Sequence, residues 1–596
     1  MRPVSSHFLN LSRVDPHEFG VERVERERLE RERFGRERLE RERLERERER
    51  LERERLERER LERKRLERER AEQERKEQER VEQVFLFKRL KPVETDYHRS
   101  LCCMDGTRRS LLTQVVEWVA NESGQENRNT YWLYGSPGIG KTSLAHSICA
   151  SLHERNNLAG AFFCQRDDPS LSNQMNILPT FIHRLALIFP PFRTIVAKHL
   201  GDDPNLTPHS MKGSHFLDFI RSTPCHPEHT LVFVIDALDE CGDPRSRPSI
   251  LKALTDAAAQ APWLKIIITS RPEADVQHFF DNLKQSSYLP YNLATDRDAS
   301  TDLRIFARTE FDSVASVWHL DTPWPEESVF NTVISRANGL FIFIKTLVLA
   351  LERYEDPEES LKDALQVSAG STGLESLYTL YSNILKSNIV YKQAEFQRMI
   401  GVLLSTSPYR ALCDDTVAEL AGVKPNFVKK WVDALSSLLY RDEAANRGIR
   451  VRHLSVYDFF VSNQCNYQVN LQDADVQLGI ACFKVMTTQL RFNICNLEDS
   501  RLTNAAINDL PSRVKQNIPD ALQYSCLHWS NHLCFPPATR DEYVLALGKF
   551  FEGLYPLFWI EVLGIMREVA IGVPSLRKLL LWVRVSTSPV FYWFAC

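Results

Sequence analysis

The run Gly135-Ser136-Pro137-Gly138-Ile139-Gly140-Lys141-Thr142 sets glycines, a lysine and a hydroxyl in the spacing GxxxxGK[ST]. Those residue types in that order suit one task, the holding of a chain of phosphates. Glycines let a loop wrap closely, so that successive backbone N–H groups and the N-terminus of a following helix face the anion. Lys141 then reaches the β- and γ-phosphates, and the Thr142 hydroxyl ligates Mg2+. Gly135 through Ser143 are therefore the candidate residues for binding a nucleoside triphosphate.

A second constellation lies about a hundred residues on, in Leu231-Val-Phe-Val-Ile-Asp236-Ala-Leu-Asp239-Glu240. An apolar strand ending in an acid is the Walker B arrangement. Asp236 would hold Mg2+ directly or through water. Asp239 or Glu240 could orient or deprotonate an attacking water. The plain alternative is a solvated acidic loop after a core strand, and the phosphate loop beside it argues against that. A third piece is Lys265-Ile-Ile-Ile-Thr269-Ser270-Arg271. If that strand lies beside the one feeding the phosphate loop, Arg271 faces the γ-phosphate and can stabilise its charge. A surface arginine before Pro272 is the alternative.

These residues need elements to hold them. Short apolar runs recur at Tyr131–Tyr134, Ala161–Cys164, Leu231–Ile235, Leu264–Thr269 and Tyr288–Leu293, with helical stretches between. Continuous runs of this length read as buried parallel strands. The fold class expected is α/β, an open parallel sheet over about 129–295, with the phosphate loop between the first strand and a helix over Thr142–Leu152. Beyond Asp296 helical periodicity takes over.

At 596 residues the chain calls for about three to five domains. Its 76 basic and 80 acidic side chains nearly balance, which gives no electrostatic case for nucleic acid or an anionic membrane. Thirteen cysteines occur without a CxxC pair or metal spacing, and no apolar leader stands near the start. A reducing, cytoplasmic setting follows. The best candidate for a membrane span, Tyr555–Val573, is interrupted by Glu561, Arg567 and Glu568.

From Val21 to about Val84 runs a tract of Glu-Arg repeats whose leucines fall mainly five apart. Five residues carry a helix about 140° past a full turn, so the leucines spiral and form no coiled-coil stripe. Glu-to-Arg pairs at i,i+4, such as Glu42–Arg46 and Glu54–Arg58, favour a solvated single helix serving as a spacer.

The order of phosphate loop, LVFVIDALDE and IIITSRPE resembles the NACHT domain of the STAND NTPases, as found in fungal proteins related in design to animal NLR immune receptors. Cys103-Met-Asp-Gly106-Thr107-Arg108 and Ala161-Phe-Phe-Cys-Gln-Arg166-Asp also match. Ala337-Asn-Gly339-Leu-Phe-Ile342 looks like the family's helical-domain signature. Arg452-His453-Leu-Ser455-Val-Tyr-Asp458-Phe-Phe looks like the end of its winged-helix domain. The resemblance spans about 95–585, and it departs at Ala237, where many such domains carry glycine.

What the resemblance implies is a switch, closed with ADP and opened by ATP, that oligomerises when activated, hydrolyses slowly and signals to an effector protein. The triphosphate expected is ATP or GTP. His453 is the candidate for the histidine that contacts the diphosphate; its alternative is a half-buried histidine beside Ser455 in a β-wing. The expected order of domains is a disordered N-terminus (1–20), a Glu/Arg-rich helix or spacer (21–84), a helical lead-in (85–128) and the NACHT domain (129–300). A helical domain (301–405), a winged helix (406–465), a helical arm (466–584) and an irregular tail (585–596) follow.

Asp414–Leu439 reads as a helix-turn-helix around Gly422. Its thin basic footprint favours packing over DNA reading, so no direct nucleic-acid partner is expected, and no membrane. Innate immunity or self/non-self recognition is the expected setting. Two other functions compete: a steady-turnover remodelling ATPase, and a charged-helix scaffold whose nucleotide site is structural.

Overall fold

The computed structural model describes residues 18–120, 128–284, 287–352, 356–366, 373–443, 446–499, 501–533 and 541–585. The chain divides into two units, Met1–Val84 and Phe85–Cys596.

In the second unit the five apolar runs form one sheet: β1 Thr130–Tyr134, β2 Leu158–Phe163, β3 Leu231–Asp236, β4 Leu264–Ser270 and β5 Tyr288–Asn292. All pairings are parallel and the order is β2-β3-β4-β1-β5. Every residue of β3 and β4 is buried, which is why their sequences show no polar alternation. Trp132, Phe233, Ile235, Ile266 and Ile268 point to one hydrophobic layer, and Tyr131, Leu133, Val232, Val234 and Ile267 to the other. This is the expected P-loop NTPase sheet. Its order puts the ends of β3, β4 and β1 side by side, with β4 in the middle. The helix Lys141–Glu154 starts one residue before the expected position.

Beyond the sheet, buried residues from Leu303 to Trp582 share one hydrophobic core. Within it lie helices Asp414–Ala421 and Pro425–Ala434, turned at Gly422 (φ 64°), then an antiparallel hairpin, β6 Leu439–Asp442 and β7 Gly448–Val451. The helix Leu454–Val461 follows directly. No helix among the described residues is long and apolar enough to cross a membrane. The apolar stretch at Tyr555 forms a helix of only 11 residues.

The Glu/Arg tract is helical from Glu18 and continues to Leu90. It thus begins inside the segment expected to be disordered and runs past the expected end at Val84. The extension has a physical cause: Phe85–Leu90 keeps helix-forming residues and buries Leu86 and Leu90, one turn apart, in the core below the sheet. Residues 1–17 and 586–596 lie outside the described residues, and Val585, placed in the tail by sequence, ends a helix. From Leu39 to Leu66 the leucines are 51–64% exposed, as a spiral requires. Among the arginine–glutamate pairs the tightest have arginine first, such as Arg55–Glu59 at 3.0 Å and Arg65–Glu69 at 2.9 Å, while Glu72–Lys76 stands at 2.7 Å. The expected pairs Glu42–Arg46 and Glu54–Arg58 stand wider, at 3.7 and 3.8 Å. Glu42 and Glu54 each have an arginine four residues before as well as after, and the earlier one takes the closer place.

Candidate nucleotide site

Between β1 and the helix Lys141–Glu154 the chain needs a tight loop with its N–H groups turned inward. Gly138 and Gly140 provide it at φ 79° and 93°, values that cost any residue with a Cβ. The loop is tied to β4 by Gly135 N–H, which donates to Ser270 O at 3.3 Å. From behind, the buried Arg108 donates to Ile139 O at 3.1 Å and pairs with Asp296. Lys141 Nζ lies inside the loop and donates to Gly135 O and Ser136 O at 2.9 and 3.0 Å. Burial lowers the pKa of this ammonium, and Asp239 opposes the shift. A phosphate would be a better partner for it than neutral carbonyls.

The sheet order brings the acids to the same place. Asp236, at the end of β3, is 2% exposed and accepts from Thr269 Oγ1 at 2.5 Å. Burial pushes its pKa up, while hydrogen bonds from the Thr269 and Thr142 hydroxyls hold it down. A hydroxyl and a buried carboxylate converging in this way fit the protein's share of a Mg2+ site, whose remaining ligands would be phosphate and water. Ala237 then adopts the left-handed conformation (φ 51°) and donates its N–H to Thr269 Oγ1 at 2.9 Å. The departure from glycine at this position therefore costs backbone strain, of about 1 kcal/mol; side-chain size is not the issue.

A single short turn, Leu238–Glu240, separates the roles of the next two acids. Asp239 faces Arg271, accepting its backbone N–H at 2.9 Å and lying 3.3 Å from its Nε. Glu240 Oε2 accepts from the Arg166 N–H at 3.3 Å. Burial, reinforced by Asp239, raises the Glu240 carboxyl to about 8. A carboxyl of that acidity is a strong base once ionised, and its ionised share grows as pH rises towards 8.

Arg271 is held at both ends, by Asp239 and by Asp458, whose Oδ2 lies 2.6 Å from Nη1. Burial alone would lower its pKa; the two carboxylates override that and raise it. Asp458 belongs to the helix Leu454–Val461, and His453 caps that helix. The His453 Nδ1 accepts from the Ser455 N–H at 3.1 Å, which places the ring proton on Nε2. Burial, with Lys141 and Arg271 nearby, pushes His453 down to about 3, so the ring is neutral. It stands against the phosphate loop: its Cε1 would be 3.8 Å from a Cβ on Gly138.

Lys141, Thr142, Ser143, Asp239, Glu240, Arg271 and His453 thus line one cavity of about 510 Å³, large enough for a nucleotide. Asp236 lies beneath it, hydrogen-bonded to Thr142. The far wall combines Cys103 and Met104 with Phe341 and the Lys345–Glu310 pair (2.9 Å). Sequence reasoning assigned no role to Arg108, Ile342 or Asp458. All three stand inside motifs quoted for the resemblance, but nothing in their spacing says what they touch.

A family model for the nephrocystin 3 N-terminal region matches residues 106–271, which hold the phosphate loop and all three motif strands. A model for the AJM-1 N-terminal domain matches residues 15–96. Among curated proteins none matches. Solved structures with a similar fold include a Walker-type ATPase of Pyrococcus abyssi, 15% identical, covering 62% of this chain and 99% of its own, at a TM-score of 0.29. AMPPCP-bound DnaA from Aquifex aeolicus is 13% identical over 57% of this chain and 93% of its own, at 0.26. The Aeropyrum pernix ORC1 protein in complex with DNA is 11% identical over 61% and 94%, at 0.24.

Proposed function

We propose that this chain is a NACHT-type nucleotide switch, which binds ATP or GTP with Mg2+ and hydrolyses it slowly. One observation carries the reading: the segment that follows the β6–β7 hairpin reaches the phosphate loop, with His453 against Gly138 and Asp458 on Arg271. A γ-phosphate arriving at Lys141 competes with Asp458 for the Arg271 guanidinium. ADP leaves that pair alone. The ligand therefore discriminates two arrangements by the phosphate that distinguishes it. A neutral His453 with its proton on Nε2 is a suitable donor to the diphosphate both ligands share.

In the same reading Thr142 and Asp236 hold Mg2+, which supplies positive charge to the triphosphate. Glu240 takes the proton of the attacking water, and Lys141 and Arg271 neutralise the phosphate oxygens. Oligomerisation of the triphosphate form, an effector partner, a cytoplasmic location and a role in intracellular immunity or self/non-self recognition rest on the family resemblance.

Two measurements test the reading. Protein purified without added nucleotide and then denatured is expected to release near-stoichiometric ADP. Asp458→Asn should release ADP about 10–100 times faster than the parent, the loss of one charge-assisted hydrogen bond. An empty site with rapid ATP turnover would overturn the switch and favour a remodelling ATPase. The second is a pH profile. Because the Glu240 carboxyl sits near 8 and only its ionised form accepts a proton, hydrolysis should rise about tenfold per unit as pH approaches 8 from below. A flat profile there would remove Glu240 as the base.

A further inference from the structure

The turn that follows β2 touches two things at once. On one side the Arg166 N–H donates to Glu240 Oε2. On the other, its guanidinium lies 5.2 Å from the centre of the Tyr457 ring, and the next residue, Asp167, is gripped by Arg450. Arg450 stands on β7 and is 12% exposed. Its Nη1 lies 2.6 Å from Asp167 Oδ2 and donates to Asp167 O at 2.7 Å, while its Nε pairs with Asp442 of β6 at 2.9 Å. The turn is stiff in itself: Asp168 Oδ1 accepts the N–H groups of Ser170 and Leu171, and Ser172 O accepts the N–H of Gly242, two residues beyond Glu240.

Given that the site hydrolyses nucleotide through Glu240, as proposed above, we infer that Arg450 is a positioning residue for that glutamate, acting through Asp167 and the Arg166 amide. A general base must present one oxygen to the water while the other is fixed. Here the fixing donor is a backbone N–H, and a backbone N–H has no adjustable reach. It stays in place only if the turn that carries it does. Arg450 clamps that turn at both the backbone and the side chain of Asp167, and Asp442 orients the clamp. Hydrolysis is thereby tied to the docked hairpin. A molecule whose hairpin has swung away keeps its triphosphate without a fixed base, which prolongs the open form.

The test compares kcat, KM and nucleotide affinity for Mg-ATP in the full chain. Arg450→Gln and Asp167→Asn are each expected to lower kcat about tenfold with KM and Kd changed less than twofold. Arg450→Lys, which keeps a donor to Asp167, should recover most of the loss. The two neutral substitutions together should be no worse than Arg450→Gln alone, because Asp167→Asn removes only a contact that Arg450→Gln already breaks. In a Glu240→Gln background, Arg450→Gln should do nothing further. An unchanged or raised kcat in Arg450→Gln, with Glu240→Gln inactive, overturns the coupling and leaves the site reading intact. Full turnover in Glu240→Gln itself removes both. A loss that Arg450→Lys does not recover, accompanied by a weaker Kd, marks a purely structural role and overturns the positioning.

Discussion

Lys141→Ala is expected to weaken nucleotide binding about a thousandfold, and with it to remove hydrolysis. The ammonium is the cation at the centre of the loop, 9% exposed and surrounded by glycine backbone. Truncating one partner of a buried charge pair costs about 4 kcal/mol, which corresponds to that factor. The same change leaves Gly135 O and Ser136 O without their donor, so a small loss of stability accompanies it. Two readings separate the effects. A fluorescent ADP analogue titrated against the variant measures binding. Thermal melting with and without Mg-ADP measures linkage: the parent gains stability with ligand, and the variant gains none. A variant that binds within tenfold of the parent would mean that the loop amides alone hold the phosphates.

Gly138→Ala should be as damaging, by a different route. A Cβ at Gly138 would lie 2.0 Å from Ile342 Cγ2 and 2.8 Å from Ile342 Cβ, and the backbone sits at φ +79°. The added methyl cannot be accommodated while the helix Phe341–Leu351 keeps its start against the loop, where Ile342 N–H donates to Gly138 O at 3.2 Å. Left-handed strain and overpacking together cost about 3 kcal/mol, enough to lower the apparent Tm of a unit of this size by about 3 °C. Pairing the substitution with Ile342→Ala relieves the larger steric term. The 2.0 Å contact with Cγ2 is then gone and most of the steric part is recovered, while the 2.8 Å contact with Cβ and the backbone strain persist. If the double variant melts no higher than Gly138→Ala alone, the close approach of this helix to the loop is not what the glycine serves.

The sheet could be read from the chain because its signals are local. Mostly apolar runs of four to six residues, with the phosphate loop after the first, specify buried strands whatever else surrounds them. The placement of the Leu264–Ser270 strand beside the first one follows from the same topology, and the register Tyr134–Ser270 brings Arg271 to the loop. What stayed illegible is what two distant segments do to each other. Nothing about Asp458 in sequence announces Arg271, 187 positions away, and nothing about Ile342 announces the missing side chain of Gly138. His453 illustrates the middle case. Its motif suggested either a ligand of the diphosphate or a histidine occupied by Ser455, and the fold places it against the loop while Ser455 holds its other nitrogen. Ala237 is marked only by the glycine that the resembled family carries there, because the identity of a side chain other than glycine carries little information about a left-handed backbone.

The Glu/Arg helix is stabilised differently from every other element. From Arg28 to Glu79 its ion pairs join residues four apart, and its leucines from Leu39 to Leu66 are exposed. Between Arg28 and Glu79 each turn is therefore about as stable as its neighbours, and only the last turns, which bury Leu86 and Leu90, lean on a distant contact. Such a rod melts over a broad range of temperature. It gives up and regains turns one by one as conditions change, yields smoothly under tension instead of snapping, and returns to length when the load is removed.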